Sequence, residues 1–153
     1  MFVIYNFFLS LIIFISPLII LIRIFLGKED QNRFKEKYGF LAKNNNSNEV
    51  VWIHGASVGE ILSIIPIIKK FEKDKKIKRI LITSSTTSSS QILSKFRFKK
   101  TIHQFYPFDL NFLTKHFINH WKPKLAIFVD SEIWPNMFNL SLIHISEPTR
   151  RAI

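Results

Sequence analysis

Cysteine is absent from this chain, which excludes disulfides and thiolate chemistry. Glycine is nearly absent too. The four that occur are Gly27, Gly39, Gly55 and Gly59, and their spacing rules out both the G-x-G-x-x-G dinucleotide fingerprint and the Walker A phosphate loop. His54, His103, His116, His120 and His144 form no H-E-x-x-H pair, so no metal site is expected. No serine lies in G-x-S-x-G, and no cofactor is expected. Acidic residues are few, 11 Asp and Glu against 22 Lys and Arg, for a net charge of +11. That excess points to an anionic partner such as a membrane surface, a phosphorylated substrate or a nucleic acid; a lysine-rich coding bias explains it equally well. Nucleic-acid binding needs basic residues interleaved with aromatics on one face. Only "KFRFKK" (Lys95 to Lys100) has that pattern, and it reads better as a solvated loop, so no nucleic-acid partner is expected.

What is present begins with apolar length. From Phe2 to Ile22, "FVIYNFFLSLIIFISPLIILI", no residue is charged, and a helix of that length matches a hydrocarbon core of about 30 Å. A cleaved signal peptide would carry basic residues before the run, whereas Arg23, Lys28, Arg33, Lys35 and Lys37 all follow it. Residues 1–26 are therefore expected to be a membrane-anchor helix, with the body of the protein on the cytoplasmic side. Pro17 leaves a kink, or a shallower anchor, open. Residues 27–49 mix both charges with Phe34, Tyr38 and Phe40 and read as an interfacial segment, ending in the polar linker "LAKNNNSNE".

The remainder alternates. "VVWIH" (Val50 to His54), "RILITS" (Arg79 to Ser84), "IHQFYP" (Ile102 to Pro107) and "KLAIFVD" (Lys124 to Asp130) read as strands. A helix after the first should turn Ile61, Leu62, Ile64, Ile65 and Ile68 inward. The hydroxyl run after the second reads as a loop before a helix near Gln91 to Phe96, and Asp109 as the cap of the helix after the third. Strands alternating with helices predict an α/β fold with a parallel sheet and right-handed crossovers. Ligands of such sheets bind beyond the carboxyl ends of the strands. His54 to Glu60, Ser84 to Ser90, Tyr106 to Asp109 and Asp130 to Asn136 should thus face one crevice.

Two carboxylate groups stand out there. Glu60 lies in the first turn of its helix, where the backbone dipole favours the ionised form; by position alone, helix stabilisation is a better explanation than catalysis. Asp130 and Glu132 flank Ser131 after the fourth strand, where capping of the next helix is the plain alternative. A general base must be ionised and within reach of the proton it removes.

Together these residues resemble the 3-deoxy-D-manno-octulosonic acid (Kdo) transferases of lipopolysaccharide assembly. "RFKEKYGF" is similar to the family's R-x-G-E-R-x-G, "WIHGASVGE" to H-x-x-S-V-G-E, "FYPFD" to Y-x-P-x-D, and "PKLAIFVDSEIWPN" to its E-T-E-L-W-P-N block. The resemblance covers roughly Met1 to Asn139. It implies a Rossmann-like sheet, residues 50–139, as the acceptor-binding half of a two-domain GT-B glycosyltransferase at the bacterial inner membrane. It implies CMP-Kdo as donor and a lipid A precursor as acceptor. Glu60 then matches the general base. Asp130 falls on the position of a transition-state-stabilising glutamate and is one methylene shorter. His54, Ser57, Gly59, Glu132, Trp134 and Asn136 shape the acceptor side. Gly55 and Gly59 would keep the backbone low enough for substrate to approach.

The family is longer than this chain, and its donor-binding C-terminal domain has no counterpart here. "LSLIHISEPTR", from Leu140, resembles a translated sequencing adapter, so residues 140–153 are expected to be a non-native tail. The chain then reads as an N-terminal fragment, inactive alone. Two alternatives stay open: a membrane-anchored glycosyltransferase for another acceptor, and a non-catalytic membrane-bound binding module.

Overall fold

Four short runs of β-branched and aromatic residues form β1 (Val50–His54), β2 (Arg79–Ser84), β3 (Thr101–Phe105) and β4 (Leu125–Phe128). A computed structural model, which describes residues 2–44, 50–129 and 134–145, joins them in one sheet of order β3-β2-β1-β4. All pairings are parallel, and the register sets His54 beside Thr83 and Phe128, and Ser84 beside Phe105. The carboxyl ends therefore finish on one rim. Every residue of β1 is buried, as expected of a central strand covered on both faces, and this is why "VVWIH" shows no polar alternation.

The helices are α1 (Phe2–Phe25), α2 (Val58–Lys73), α3 (Thr87–Ser94), α4 (Asn111–Trp121) and α5 (Pro135–Ile145). Val51, Ile53, Ile80 and Ile82 pack under α2 and α3, against Ile61, Ile64, Ile65, Ile68 and Leu93. On the other face Val50, Trp52, Leu81 and Tyr106 pack with Phe117, Ile118 and Trp121 of α4 and with Met137 and Leu140 of α5. Each large apolar side chain removed from water contributes about 1.5–3 kcal/mol before entropy is counted. The layering is the Rossmann-like arrangement expected.

Several local expectations shift. Leu62 is exposed rather than inward, because it lies about 100° round the helix from Ile61, off the stripe that Ile64, Ile65 and Ile68 complete. The hydroxyl run does not stay a loop. The Thr86 side chain accepts the Ser89 N–H, and α3 starts at Thr87, since a threonine cap satisfies an otherwise orphaned donor. The third strand begins one residue earlier and ends at Phe105. Asp109 does not cap α4, whose first turn has no side-chain cap; its oxygens go elsewhere, as described below. Past α1, residues 26–40 hold only a five-residue 3-10 turn, Phe34–Tyr38. It is clamped to the domain: Glu36 accepts the Phe105 N–H at 2.7 Å, and Arg33 bonds Glu36, Ser90 and the His103 carbonyl. α5 runs past Asn139 to Ile145, with Leu140 in the core.

Candidate active site

The loop after β1 is short. The Gly55 N–H donates to the Thr83 carbonyl at 3.0 Å, Ser57 adopts extended backbone, and α2 begins at Val58. Ser57 and Glu60 cap that helix reciprocally. The Glu60 N–H reaches Ser57 Oγ at 3.3 Å, the Ser57 hydroxyl donates to Glu60 Oε1 at 2.8 Å, and the Ala56 N–H donates to Oε2 at 2.8 Å. This is the serine-to-glutamate capping box, shifted by one donor toward the loop. The carboxylate is thus held on the rim, partly exposed, in the positive field of a helix N-terminus. It is oriented before any substrate arrives.

The two glycines of the loop differ. A Cβ on Gly55 would lie 3.3 Å from both Glu60 Cβ and Ile61 Cδ1. The space over Gly55 is therefore filled by Glu60's own stem and is not a path for substrate. A Cβ on Gly59 would meet nothing within 4 Å. Open space lies there.

Near Glu60, His54 shares one hydroxyl with the buried ring of Trp52. The Trp52 Nε1–H donates to Thr83 Oγ1 at 2.8 Å, and His54 Nδ1 lies 2.8 Å from the same oxygen. His54 Nε2 has no partner among the described residues. Burial pushes the His54 imidazole down to about 4, against the pull of the nearby Glu60 carboxylate. His54 is therefore neutral at ordinary pH and packs edge-on against Tyr106. A second, half-buried histidine is fixed further along the rim. His103 Nδ1 faces the Arg33 guanidinium at 3.0 Å and must accept, so its proton sits on Nε2, which donates to Ser84 Oγ at 2.8 Å. Burial and the Arg33 charge push it down to about 3.

The far side of the rim is organised by Asp109, which is almost fully buried. Its carboxylate accepts the N–H groups of Asn136 and Met137 at 2.9 and 2.8 Å, capping α5, and the Tyr5 hydroxyl at 3.0 Å. Burial pushes its carboxyl up, and those hydrogen bonds only partly offset that. Asn136 donates its side-chain amide to the Asp109 carbonyl and to Asn6 Oδ1, so it ties α5 to the Asp109 loop and to α1. Trp134 helps line a cavity of about 370 Å³ on this rim, with Leu9 and Ile12 of α1 and Ser85, Tyr106, Pro107 and Phe108. The cavity wall is mostly apolar. Ser85 joins the two sides of the rim, since its N–H donates to the Ala56 carbonyl.

Of the residues singled out in the sequence, His54, Ser57, Gly59 and Glu60 gather at one end of the rim, and Trp134 and Asn136 at the other. Asp130 and Glu132 lie outside the described residues. Sequence reasoning missed Thr83 and the bridging role of Asp109. A threonine within the aliphatic stretch of β2, where the parallel register pairs it with His54, was the available signal for the first. A family model for the 3-deoxy-D-manno-octulosonic-acid transferases (kdotransferases) matches residues 32–142, which contain both ends of this rim.

The chain belongs to the Kdo transferase family.

Similar proteins include the 3-deoxy-D-manno-octulosonic acid transferase of Rickettsia bellii, 40% identical over 88% of this chain and 32% of that protein. The Haemophilus influenzae transferase is 30% identical over 87% of this chain and 32% of its own length. A probable mitochondrial one from Arabidopsis thaliana is 31% identical, covering 88% of this chain and 31% of that protein. The chain thus spans about a third of the length of these Kdo transferases.

Proposed function

We propose that this chain is the acceptor-binding part of a membrane-associated, GT-B-type Kdo transferase that moves Kdo from CMP-Kdo to a lipid A precursor such as lipid IVA, on the cytoplasmic face of the inner membrane. The observation that carries the reading is the family match over residues 32–142, within which the glutamate of "SVGE" stands on the rim of a parallel sheet. Glu60 is the general base. As an acceptor sugar hydroxyl attacks the anomeric carbon of Kdo, its proton passes to Glu60, the carbon–oxygen bond to the CMP phosphate breaks, and CMP leaves. A single displacement inverts the carbon. Asp130, just past β4, stabilises the transition state, and Glu132 shapes the acceptor side. The donor nucleotide is held by a further domain, outside residues 1–153, of the kind the longer family members have room for, and these residues by themselves bind acceptor without transferring Kdo.

The capping geometry supports the role of Glu60, because a base needs a fixed, ionised carboxylate at the reacting atom. The test uses the purified chain and a version extended by a family C-terminal domain, each supplied with CMP-Kdo and lipid IVA. Transfer is expected only from the extended protein and is expected to vanish with Glu60→Gln. Transfer by the chain alone, or retained activity in Glu60→Gln, would sink the proposal.

A further inference from the structure

The length and composition of α1 suit a helix that crosses a bilayer. Its contacts with the domain suit something else. Tyr5 bonds Asp109 near one end, Arg23 pairs with Glu29 near the other at 3.3 Å, and Ser16 meets the Tyr38 hydroxyl at 2.7 Å between them. The docked stripe runs through residues 5, 9, 13, 16, 20 and 23, the spacing of one helical face. From Tyr5 to Arg23 the axis covers about 27 Å at 1.5 Å per residue. The domain, through Asp109 and Asn136, and the 3-10 segment clamped to it, through Tyr38 and the Glu29 that Lys37 also holds at 2.8 Å, together lie alongside α1 for almost its whole length.

The polar side chains of α1 that reach the rest of the protein are on that inner face, while the exposed Ser10 is satisfied within the helix by the Asn6 carbonyl at 2.8 Å. Besides Tyr5 and Ser16, Asn6 accepts from Asn136. Pro17, which has no N–H, leaves the Ile13 carbonyl without its usual helical partner. Ser16 Oγ donates to that carbonyl at 2.7 Å, and α1 stays one helix from Phe2 to Phe25. The opposite face is apolar and bare: Phe7, Leu11, Phe14, Leu18, Ile22 and Phe25 are each more than half exposed. Leu26, just past the helix, is exposed as well, Lys28 follows it, and Lys35 and Phe40 of the next segment are also exposed.

If α1 crossed the bilayer with these contacts intact, Asp109 and Asn136 would be carried about 27 Å through hydrocarbon along with the sheet edge that holds them. Backbone and buried polar groups of an open sheet cannot be satisfied there. We infer that α1 lies in the plane of the membrane, its inner face docked on the domain and its outer face sunk into a single leaflet. Lys28 and Lys35 then sit at the level of anionic headgroups. The partner is a lipid surface. The inference does not rest on the sugar chemistry, only on these contacts. It also places the cavity lined by Leu9 and Ile12 next to the leaflet.

The absence of native cysteine makes the test direct. Two single-cysteine proteins are made, one with a short polar extension carrying cysteine ahead of Met1 and one with Lys28→Cys, and each is expressed in bacterial membranes. A membrane-impermeant maleimide is applied to spheroplasts and to inverted vesicles. Both cysteines are expected to be labelled in inverted vesicles and neither in spheroplasts. Labelling of the two ends from opposite sides overturns the inference, and so does failure of the protein to sediment with membranes. Spin labels placed singly at Phe7, Phe14 and Phe25 give a second readout. Similar shallow depths at all three are expected; a deep Phe14 with both ends at the surface refutes it.

Discussion

Thr83→Val separates hydrogen bonding from packing at the candidate active site. Thr83 is fully buried, and its one hydroxyl serves both Trp52 Nε1 and His54 Nδ1 at 2.8 Å. Valine has nearly the same shape, so it opens no cavity; what it removes is a partner for two buried ring nitrogens. Stranding a buried polar group costs about 1–3 kcal/mol, hence about 2–6 kcal/mol for the pair. Burying a methyl in place of the hydroxyl returns about 1 kcal/mol. The net loss is about 3 kcal/mol, which at about 2 kcal/mol per molar lowers a urea midpoint by about 1.5 M. Thr83→Ser is the control: it keeps the hydroxyl, loses a buried methyl and costs about 1 kcal/mol. Urea unfolding in lipid nanodiscs, followed by far-ultraviolet circular dichroism, should rank the proteins wild type, serine, valine. Valine equal to or more stable than serine would refute the shared-hydroxyl account, because packing alone predicts that order.

Acid should destabilise the domain earlier than carboxylates alone would require. His54 and His103 are pushed down to about 4 and about 3, so below about pH 6.5 the unfolded chain binds two protons that the folded chain refuses. Stability present above that pH is lost as pH falls, by up to about 1.4 kcal/mol per unit for each group. Urea midpoints measured from pH 8 to 4 check this, and an onset only below 4.5 contradicts it. Glu72 adds a later loss. Burial raises its carboxyl, but hydrogen bonds from the Thr101 hydroxyl and the N–H groups of Lys99, Lys100 and Thr101 outweigh that and hold it below its usual 4.5; Glu72→Gln should flatten the lowest part of the curve. Asp109→Ala removes the cap of α5 and strands the Tyr5 hydroxyl, and about 2–4 kcal/mol of destabilisation is expected in the same unfolding assay. Gly59→Ala meets open space and should stabilise α2 by up to about 1 kcal/mol. A gain in stability joined to loss of Kdo transfer in an extended protein would mark that space as substrate's.

Much of this protein is determined by neighbours in the chain. Strands of β-branched residues, helices with apolar positions three and four apart, and the serine–glutamate cap at Ser57 and Glu60 all depend on contacts within a few residues, so sequence reading places the four strands, α2 and the rim they share. The family motifs are equally local. What depended on tertiary structure is the choice among partners that local sequence leaves equivalent. Asp109 could cap the helix that follows it, but its oxygens go to backbone 27 and 28 residues away and to a tyrosine 104 residues away. The two backbone donors are buried, whereas the first turn of α4 lacks any side-chain cap. The same logic decides α1. Composition specifies that it seeks lipid, and hydropathy alone makes every face of it equivalent. Only the docking of Tyr5, Asn6, Ser16 and Arg23 tells the inner face from the outer, because a polar group is satisfied where a partner waits, and that position is set by the folded domain.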